Sequence, residues 1–203
     1  MKDLIQEGFE RSLAKLKEKE RDKFLSPEEL KHAKEAIAIG CIKYADLSHD
    51  RKHEYVFSFD KMLDDKGNTA VYLLYALTRI RSIIRNAKLE SSVDQLANQL
   101  PNRKLDLTDP REIRLAKFIL KFPEIILQIV DDLYIHALCG YLYELSTVFS
   151  EFYDRCYCIV KTINESGEEV LNVNVNRIIL CEATAKVIEK GLDLLGIKTV
   201  EKM

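Results

Sequence analysis

The sequence predicts an all-α helical bundle that carries one small β-hairpin. Turn-forming residues are scarce, because the 203-residue chain holds only seven glycines and four prolines, well below the roughly 12% that these two residues usually make up together. Apolar residues recur at three- and four-residue spacing through most of the chain, which is the period of an amphipathic helix. Between residues 156 and 175 the pattern changes to β-branched residues on both sides of a turn, which is typical of a hairpin.

The first helices are predicted from spacing and capping signals. Apolar residues at positions 5, 9, 13 and 16 predict an amphipathic helix over residues 3–23. The segment Ser26-Pro27-Glu28-Glu29 has the form of a capping box with proline at the first helical position, and it predicts a helix over residues 27–47. A polar connection follows, and it ends in a short extended piece over residues 55–59.

The middle of the chain alternates between helices and one polar segment. After the break at Gly67-Asn68, Thr69 is predicted to cap a helix over residues 70–87. Residues 88–108 are predicted as a loop with one helical turn after Ser91-Ser92. The next two helices are predicted to begin at Asp109-Pro110 and at Pro123, because proline is favoured in the first turn of a helix.

The C-terminal part holds the longest apolar helix and the hairpin. Residues 133–156 are predicted as a single long helix. Residues 156–163 and 170–175 flank Asn164-Glu165-Ser166-Gly167 and are predicted to pair as two strands. The last helix is predicted over residues 176–195, with Gly196 as the residue that ends it.

Composition and charge exclude several classes of protein. The 31 basic residues are balanced by 33 acidic ones, so no strong overall field attracts nucleic acid or membrane. The charged N-terminus lacks the apolar core of a secretory signal, and no uncharged run approaches the ~20 residues of a membrane helix. Five cysteines without a C-x-x-C pair are typical of reduced thiols in the cytosol. We therefore expect a cytoplasmic protein with no membrane partner.

The chain lacks the patterns of the common active sites. It contains no G-x-G pair, no H-E-x-x-H and no G-x-S-x-G, so no dinucleotide, phosphate, zinc-protease or hydrolase site is predicted. His49 and His53 lie near Asp46 and Asp50, but one tight cluster in a charged connection is better explained as solvated polar residues than as a metal site. We predict no catalytic residue, metal site or cofactor in this chain.

One helix carries a surface pattern that points to a ligand. When Tyr72 is set at 0° on a wheel of about 100° per residue, the apolar residues of the helix over residues 70–87 centre near roughly 110°. Tyr75, Arg79 and Asn86 fall within about 60° of Tyr72 and so lie away from that apolar side. We label the helix over residues 70–87 α4 and call these four residues the α4 strip.

The residue types in the α4 strip suit an unpaired nucleic-acid loop. Aromatic rings stack on unpaired bases, arginine pairs with phosphate or stacks, and an amide reads the edge of a base. The alternative is that Tyr72 and Tyr75 pack under a neighbouring helix, and the pattern by itself leaves both possibilities open.

The amino-acid sequences of several segments resemble those of arginyl-tRNA synthetases, and the resemblance extends over nearly the whole chain. The segments that carry it are Lys43-Tyr44-Ala45-Asp46-Leu47, Phe57-Ser58-Phe59-Asp60-Lys61-Met62-Leu63, Gly67-Asn68-Thr69-Ala70-Val71-Tyr72-Leu73-Leu74-Tyr75-Ala76-Leu77-Thr78-Arg79, Leu180-Cys181-Glu182-Ala183-Thr184-Ala185 and Gly191-Leu192-Asp193-Leu194-Leu195-Gly196-Ile197. The chain looks like the C-terminal anticodon-binding helical domain of a eukaryotic-type cytosolic member of that family.

The resemblance implies a function and a division of the chain. The family consists of class I ligases that join arginine to its tRNA with ATP, on a Rossmann domain with the HIGH and KMSKS-type motifs, which this sequence lacks. It implies that residues 1–25 are a helical segment following the catalytic domain and that residues 26–203 are the anticodon-binding domain. It further implies that ATP and Mg²⁺ belong to the catalytic domain, that this chain alone is catalytically inactive, and that its partner is the anticodon loop of arginine tRNA.

The resemblance also implies which residues contact the RNA. Tyr72, Tyr75 and Arg79 match the family's Y-x-x-Y-A-x-x-R pattern, Tyr153 matches a tyrosine late in the long helix, and Met203 matches the terminal methionine beside the anticodon loop. Candidate further tRNA contacts are Lys43, Tyr44 and Asn86, with ordinary packing as the alternative for Tyr44. The tail departs from the family at Thr199 and Lys202, where proline and arginine are common.

A second function from another class also fits the sequence. The charged helix over residues 3–23 could dock another protein, because synthetases often assemble with other proteins. The chain would then be a helical interaction module of a multi-protein assembly. Alongside arginine tRNA, the expected partners are the catalytic domain of the same protein and other synthetase-complex proteins. Selective, salt-sensitive tRNA binding distinguishes the two functions.

Overall fold

The computed structural model describes residues 2–88, 95, 97–98, 100, 104–163, 167 and 169–203. The elements in chain order are α1 (Lys2–Glu18), a 3₁₀ turn (Arg21–Lys23), α2 (Pro27–Leu47), α3 (Phe59–Met62), α4 (Ala70–Asn86), α5 (Pro110–Ile119), α6 (Phe122–Asp132), α7 (His136–Tyr153), β1 (Ile159–Ile163), β2 (Glu169–Val173) and α8 (Val175–Leu194). The predicted helical bundle with one small hairpin is confirmed.

The starts of α2, α4 and α5 are determined by local capping. Ser26 and Glu29 form the predicted capping box, in which each side chain accepts a hydrogen bond from the other residue's backbone N–H. Asp109 and Glu112 form a second capping box at the start of α5. The Thr69 side chain caps α4 as predicted. Such caps satisfy backbone N–H groups that have no partner within the helix, which is why α2, α4 and α5 begin where they do.

The core lies where α4, α7 and α8 meet, with α2 packed on α4 and α1 packed on α2. α5 and α6 cover the other side of α7. The largest fully buried side chains are mostly aliphatic and aromatic and come from several helices: Tyr44, Leu73, Leu74, Leu77, Ile80, Leu115, Leu142, Leu145, Phe149, Phe152, Ile178 and Ile188. The apolar side of α4 is therefore packed against other helices, and its opposite side faces solvent.

Two helices are shorter than their patterns predict. α1 ends at Glu18, because Glu20 takes a left-handed conformation (φ 55°) and a 3₁₀ turn follows. α7 begins at His136, because Leu133 is also left-handed (φ 60°) and caps the end of α6. A left-handed backbone conformation at a single residue ends a helix without altering the spacing of the apolar residues. The periodicity of the sequence therefore does not show it. A short helix, α3, also begins inside the predicted extended piece at Phe59.

The hairpin is antiparallel, with Ile159 opposite Val173 and Ile163 opposite Glu169. Its first strand begins three residues later than predicted, since Cys156 and Cys158 are buried at its base. Residues 164–166 of the predicted turn, and most of the predicted loop with its helical turn after residue 92, lie outside the described residues. No described helix combines the length and apolarity that crossing a membrane requires.

Candidate nucleic-acid interface

The α4 strip faces solvent at three of its four positions. Tyr75 is 38% exposed, and Arg79 and Asn86 are exposed as well. Tyr72 is half-buried, because its ring packs edge-on against Tyr143 of α7 with 5.4 Å between the centroids. The predicted outward direction of the strip is therefore confirmed, while Tyr72 both borders the surface and contributes to packing.

Arg79 is held above an aromatic ring rather than by a carboxylate. Its Cζ lies 4.8 Å from the centroid of the Tyr153 ring, a cation–π distance. Tyr153 in turn stacks on Phe149, one turn earlier in α7, with 6.0 Å between the centroids. Within the part of the chain that the structure describes, no carboxylate pairs with Arg79. Its N–H donors thus remain available to a ligand while the side chain is held in place.

Arg81 lies two positions further along α4 than Arg79, and its side chain has different partners. Its Nε and Nη2 bind both carboxylate oxygens of Glu189 at 2.8 and 2.6 Å, and its Nη1 binds Glu182 at 2.6 Å. Burial opposes the charge, but the two carboxylates outweigh it and raise the pKa of Arg81. Arg81 joins α4 to α8, so of these two arginines Arg79 is the one that is exposed to solvent.

A groove of about 430 Å³ runs alongside the α4 strip between α4, α7 and the end of α1. It is lined by Lys19, Arg21, Asp65, Tyr72, Tyr75, Ala76, Arg79, Phe149 and Ser150. Three cations and one carboxylate lie on this wall, so the groove carries a net positive charge. Aromatic faces beside free cations are the combination that single-stranded nucleic acids bind.

The charged groups near Tyr75 are fixed in place. The Nζ of Lys19 lies 5.7 Å from the centroid of the Tyr75 ring and donates a hydrogen bond to Asp65. That hydrogen bond lowers the pKa of Asp65, so the carboxylate stays ionised at neutral pH. The lysine is therefore held over the Tyr75 ring, and both side chains line the groove.

Met203 lies next to the same tyrosine. It lines a small cavity of about 30 Å³ together with Tyr75, Leu16 and Val71. The tail that carries it is held by an ion pair of 3.0 Å between Lys202 and Glu29. Met203 therefore extends the apolar edge of the site beside Tyr75.

The structure thus brings six of the predicted RNA contacts into one continuous surface. Met203 adjoins Tyr75, Tyr72 and Tyr75 line the groove, Arg79 connects the groove to Tyr153, and Asn86 shares a second cleft with Tyr153. The described residues contain no cluster of three or more His, Cys, Asp or Glu side chains that could hold a metal ion. The surface is therefore suited to binding a ligand by stacking and charge.

The DALR anticodon binding domain model matches residues 73–203, which is well over half of the chain. The chain belongs to the DALR anticodon-binding family. A second model, for the catalytic domain of class I (R) tRNA synthetases, matches residues 1–59. The predicted division of the chain between residues 25 and 26 stays a prediction.

Individual members of this family are similar over the full length of the chain. The cytoplasmic arginine–tRNA ligase of Mus musculus is 57% identical over 201 residues, and a probable one of Drosophila melanogaster is 49% identical over 203 residues. The crystal structure of arginyl-tRNA synthetase from Plasmodium falciparum superposes with a TM-score of 0.82 at 34% identity, covering 100% of this chain and 33% of that one. The chain spans 30% of the length of the two curated relatives.

Two of the candidate further contacts lie elsewhere in the chain, outside the residues that the DALR model matches. Tyr44 is buried, and its hydroxyl lies 2.5 Å from Asn68 Oδ1 and 3.0 Å from the carbonyl of Cys139. The structure thus supports the packing interpretation for Tyr44, whose buried ring is not accessible to RNA. Lys43 is exposed, but its Nζ donates a 2.6 Å hydrogen bond to the carbonyl of Gly196 and lines neither the groove nor the cleft.

Several residues of the groove were not predicted from the sequence. Phe149 and Ser150 belong to an apolar helix, and Lys19 and Arg21 belong to a segment rich in charge. Nothing in their own sequence context distinguishes them from the neighbouring residues of the same type. They become part of the site because the segment that follows α1 and the helix α7 both line the groove beside α4.

Proposed function

We propose that this chain binds the anticodon loop of arginine tRNAs, as the anticodon-binding part of an arginine–tRNA ligase. The observation that supports this proposal best is the arrangement of Tyr75 and Arg79, which are exposed side by side on one wall of a positively charged groove. An unpaired base stacks on Tyr75, and the free guanidinium donors of Arg79 bind a phosphate or a base edge. Each stacked base contributes about 1–3 kcal/mol.

We further propose that the activity of the whole protein resides in the rest of such a ligase. Its catalytic domain would bind ATP and Mg²⁺ and join arginine to the tRNA, while this chain positions the anticodon and does not form arginyl-adenylate by itself. The catalytic domain and other synthetase-complex proteins are further partners in this proposal. Since the relatives are named cytoplasmic, we propose the cytoplasm as the compartment.

Titration with RNA tests the anticodon-reading function. Anticodon stem-loops from an arginine tRNA and from a non-arginine tRNA are titrated into the chain at several salt concentrations. We expect tighter binding of the arginine stem-loop, and an affinity that falls with salt by about 0.7 log units per neutralised phosphate for each tenfold rise in salt. Equal affinity for both RNAs would remove the anticodon-reading claim. Absence of RNA binding would favour a protein-docking module.

Substitution of the tyrosines assigns the binding to the groove. We expect Tyr75→Ala to weaken RNA binding by about 1–3 kcal/mol with little change in melting temperature, because the ring lies at the surface. Tyr72→Ala should also weaken binding, but it should lower the melting temperature more, since its ring packs on Tyr143. Phe57→Ala is the matched control, because Phe57 is 37% exposed and lies outside the groove. A Tyr75→Ala variant that melts early and binds RNA normally would contradict the assignment.

A further inference from the structure

Two buried thiols meet where the hairpin joins α8. The Sγ atoms of Cys158 and Cys181 lie 3.7 Å apart, although the residues are 23 positions apart in the chain. Cys158 is the residue before β1, and Cys181 lies two turns into α8. Both side chains are buried, with 2% and 0% exposure. The two sulfur atoms are therefore in direct contact inside the protein and do not face solvent separately.

Backbone hydrogen bonds hold the two cysteines beside each other. The N–H of Asn174, which precedes α8, donates a 2.9 Å hydrogen bond to the carbonyl of Cys158. Nη1 of Arg177 donates a 2.8 Å hydrogen bond to the carbonyl of Tyr157, and Cys181 follows Arg177 by one helical turn. Because a disulfide has an S–S distance of about 2.05 Å, the sulfur atoms need to approach by about 1.7 Å. Rotation about the two Cα–Cβ bonds is of the right size to supply that movement.

Cys158 is the more acidic thiol of the pair. The hydrogen bond from Cys181 lowers the pKa of Cys158, and the positive charge of Arg177 lowers it further, against the opposing effect of burial. The same hydrogen bond raises the pKa of Cys181, which keeps its proton. Burial raises the pKa of Cys41 and of Cys139 to about 12. Since the thiolate is the reactive form of cysteine, Cys158 is the sulfur that an oxidant attacks first.

A cleft gives a small oxidant access to Cys158. The second cleft, which Asn86 and Tyr153 also line, has a volume of about 280 Å³ and reaches Cys158 at the base of the hairpin. This volume is several times the ~30 Å³ that a water molecule occupies, and hydrogen peroxide is larger than water by a single oxygen atom. Cys181 does not line the cleft. Hydrogen peroxide entering the cleft therefore reaches Cys158 before Cys181.

We propose that Cys158 and Cys181 are a peroxide-responsive thiol pair, which hydrogen peroxide converts to a disulfide joining the base of the hairpin to α8. The Cys158 sulfur attacks one peroxide oxygen, so that an S–O bond forms, the O–O bond breaks, and the departing hydroxide leaves as water with the proton of Cys158. The Cys181 sulfur then attacks the resulting sulfenic acid, so that the S–S bond forms, the S–O bond breaks, and a second water leaves with the proton of Cys181. The sulfur atoms lose the two electrons that the peroxide gains. This modification site is independent of the proposed RNA binding.

Peptide mapping of the oxidised 203-residue chain tests the proposal. The chain is treated with hydrogen peroxide, its remaining thiols are alkylated in denaturant, and it is digested with trypsin, which cleaves after lysine and arginine. We expect peptide 156–161 to be linked to peptide 178–186, with the mass of the pair lower by two hydrogen atoms. Two of the five thiols should escape alkylation. The melting temperature should rise by about 5–10 °C, because the cross-link restricts the unfolded chain, and a dithiol reductant should reverse both changes.

Variants assign the bond, because peptide 156–161 contains both Cys156 and Cys158. Cys158→Ala and Cys181→Ala should abolish the linked peptide, while Cys156→Ala should retain it. Cys139→Ala is the matched control, because Cys139 is also buried but burial raises its pKa. The linked peptide in Cys156→Ala decides the assignment even if the other two variants fold poorly.

Three results would overturn the proposal. A linked peptide that disappears in Cys156→Ala would assign the bond to Cys156 instead of Cys158. Sulfinic acid at Cys158 with Cys181 still alkylated would show that the second thiol does not capture the sulfenic acid. Alkylation of all five thiols after treatment with excess peroxide would show that the pair does not react.

Discussion

Replacing Arg79 and Arg81 one at a time with glutamine should separate binding from folding on a single helix. The two residues have the same side chain and lie two positions apart in α4. Arg79 stands above the Tyr153 ring at the surface, while Arg81 is 18% exposed between two carboxylates of α8. Glutamine is polar and has a strong helix propensity, so neither substitution should alter the intrinsic stability of α4.

The expected magnitudes follow from the partners of each arginine. Loss of one partner from a buried ion pair costs about 3–5 kcal/mol, and the partial exposure of this triad reduces the expected cost of Arg81→Gln to about 2 kcal/mol. For a chain of this length that corresponds to a fall in melting temperature of roughly 4–8 °C. Arg79→Gln should change stability by less than about 0.5 kcal/mol. It should weaken RNA binding by about 1.5–3 kcal/mol, the contribution of hydrogen bonds to charged groups.

Thermal unfolding and RNA titration of both variants, with the unmodified chain beside them, supply the measurement. The expected result is a crossed pattern, in which Arg79→Gln binds poorly and melts normally, while the still-folded Arg81→Gln melts early and binds normally. The reasoning is refuted if Arg79→Gln melts as early as Arg81→Gln while its RNA affinity is unchanged. Arg79 would then be a structural residue, and the exposed guanidinium would carry no function.

Two further predictions concern stability. Gly191→Ala should destabilise the fold by about 1–3 kcal/mol in denaturant titration, because its Cβ would lie 2.6 Å from Cδ2 of Leu142. Gly140→Ala, which meets no atom within 4 Å, should gain about 0.5–1 kcal/mol; equal effects would contradict the packing argument. Burial opposes ionisation of Glu112, but the hydrogen bonds from Arg177 and from the backbone N–H groups of Asp109 and Thr108 together outweigh it and lower the pKa of Glu112 in the folded state. Glu112→Gln should therefore cost about 2 kcal/mol at pH 7. The difference from the unmodified chain should shrink as the pH falls below the ordinary carboxyl pKa of 4.5 and vanish once the pH is below the lowered pKa of the folded state; a pH-independent difference would refute the ion pair as its cause.

Features that depend on residues three or four positions apart could be predicted from the sequence. The capping boxes at Ser26 and Asp109 involve a residue and its neighbour three positions on, so the pattern contains both partners. Gly196 adopts the positive φ of 65° expected of the residue that ends α8. The outward direction of the α4 strip follows from the period of the helix alone, and the exposure of Tyr75 and Arg79 agrees with it.

The tertiary structure decided everything that depends on which elements become neighbours. The partner of Tyr44 at Cys139 lies 95 residues away, and no periodicity identifies it. The different roles of Arg79 and Arg81 arise because α8 places Glu182 and Glu189 beside one of them and α7 places Tyr153 beside the other. Local pattern records which side of a helix is apolar. It does not record which helix will cover that side, because the covering contacts are determined by the packing of residues far apart in the chain.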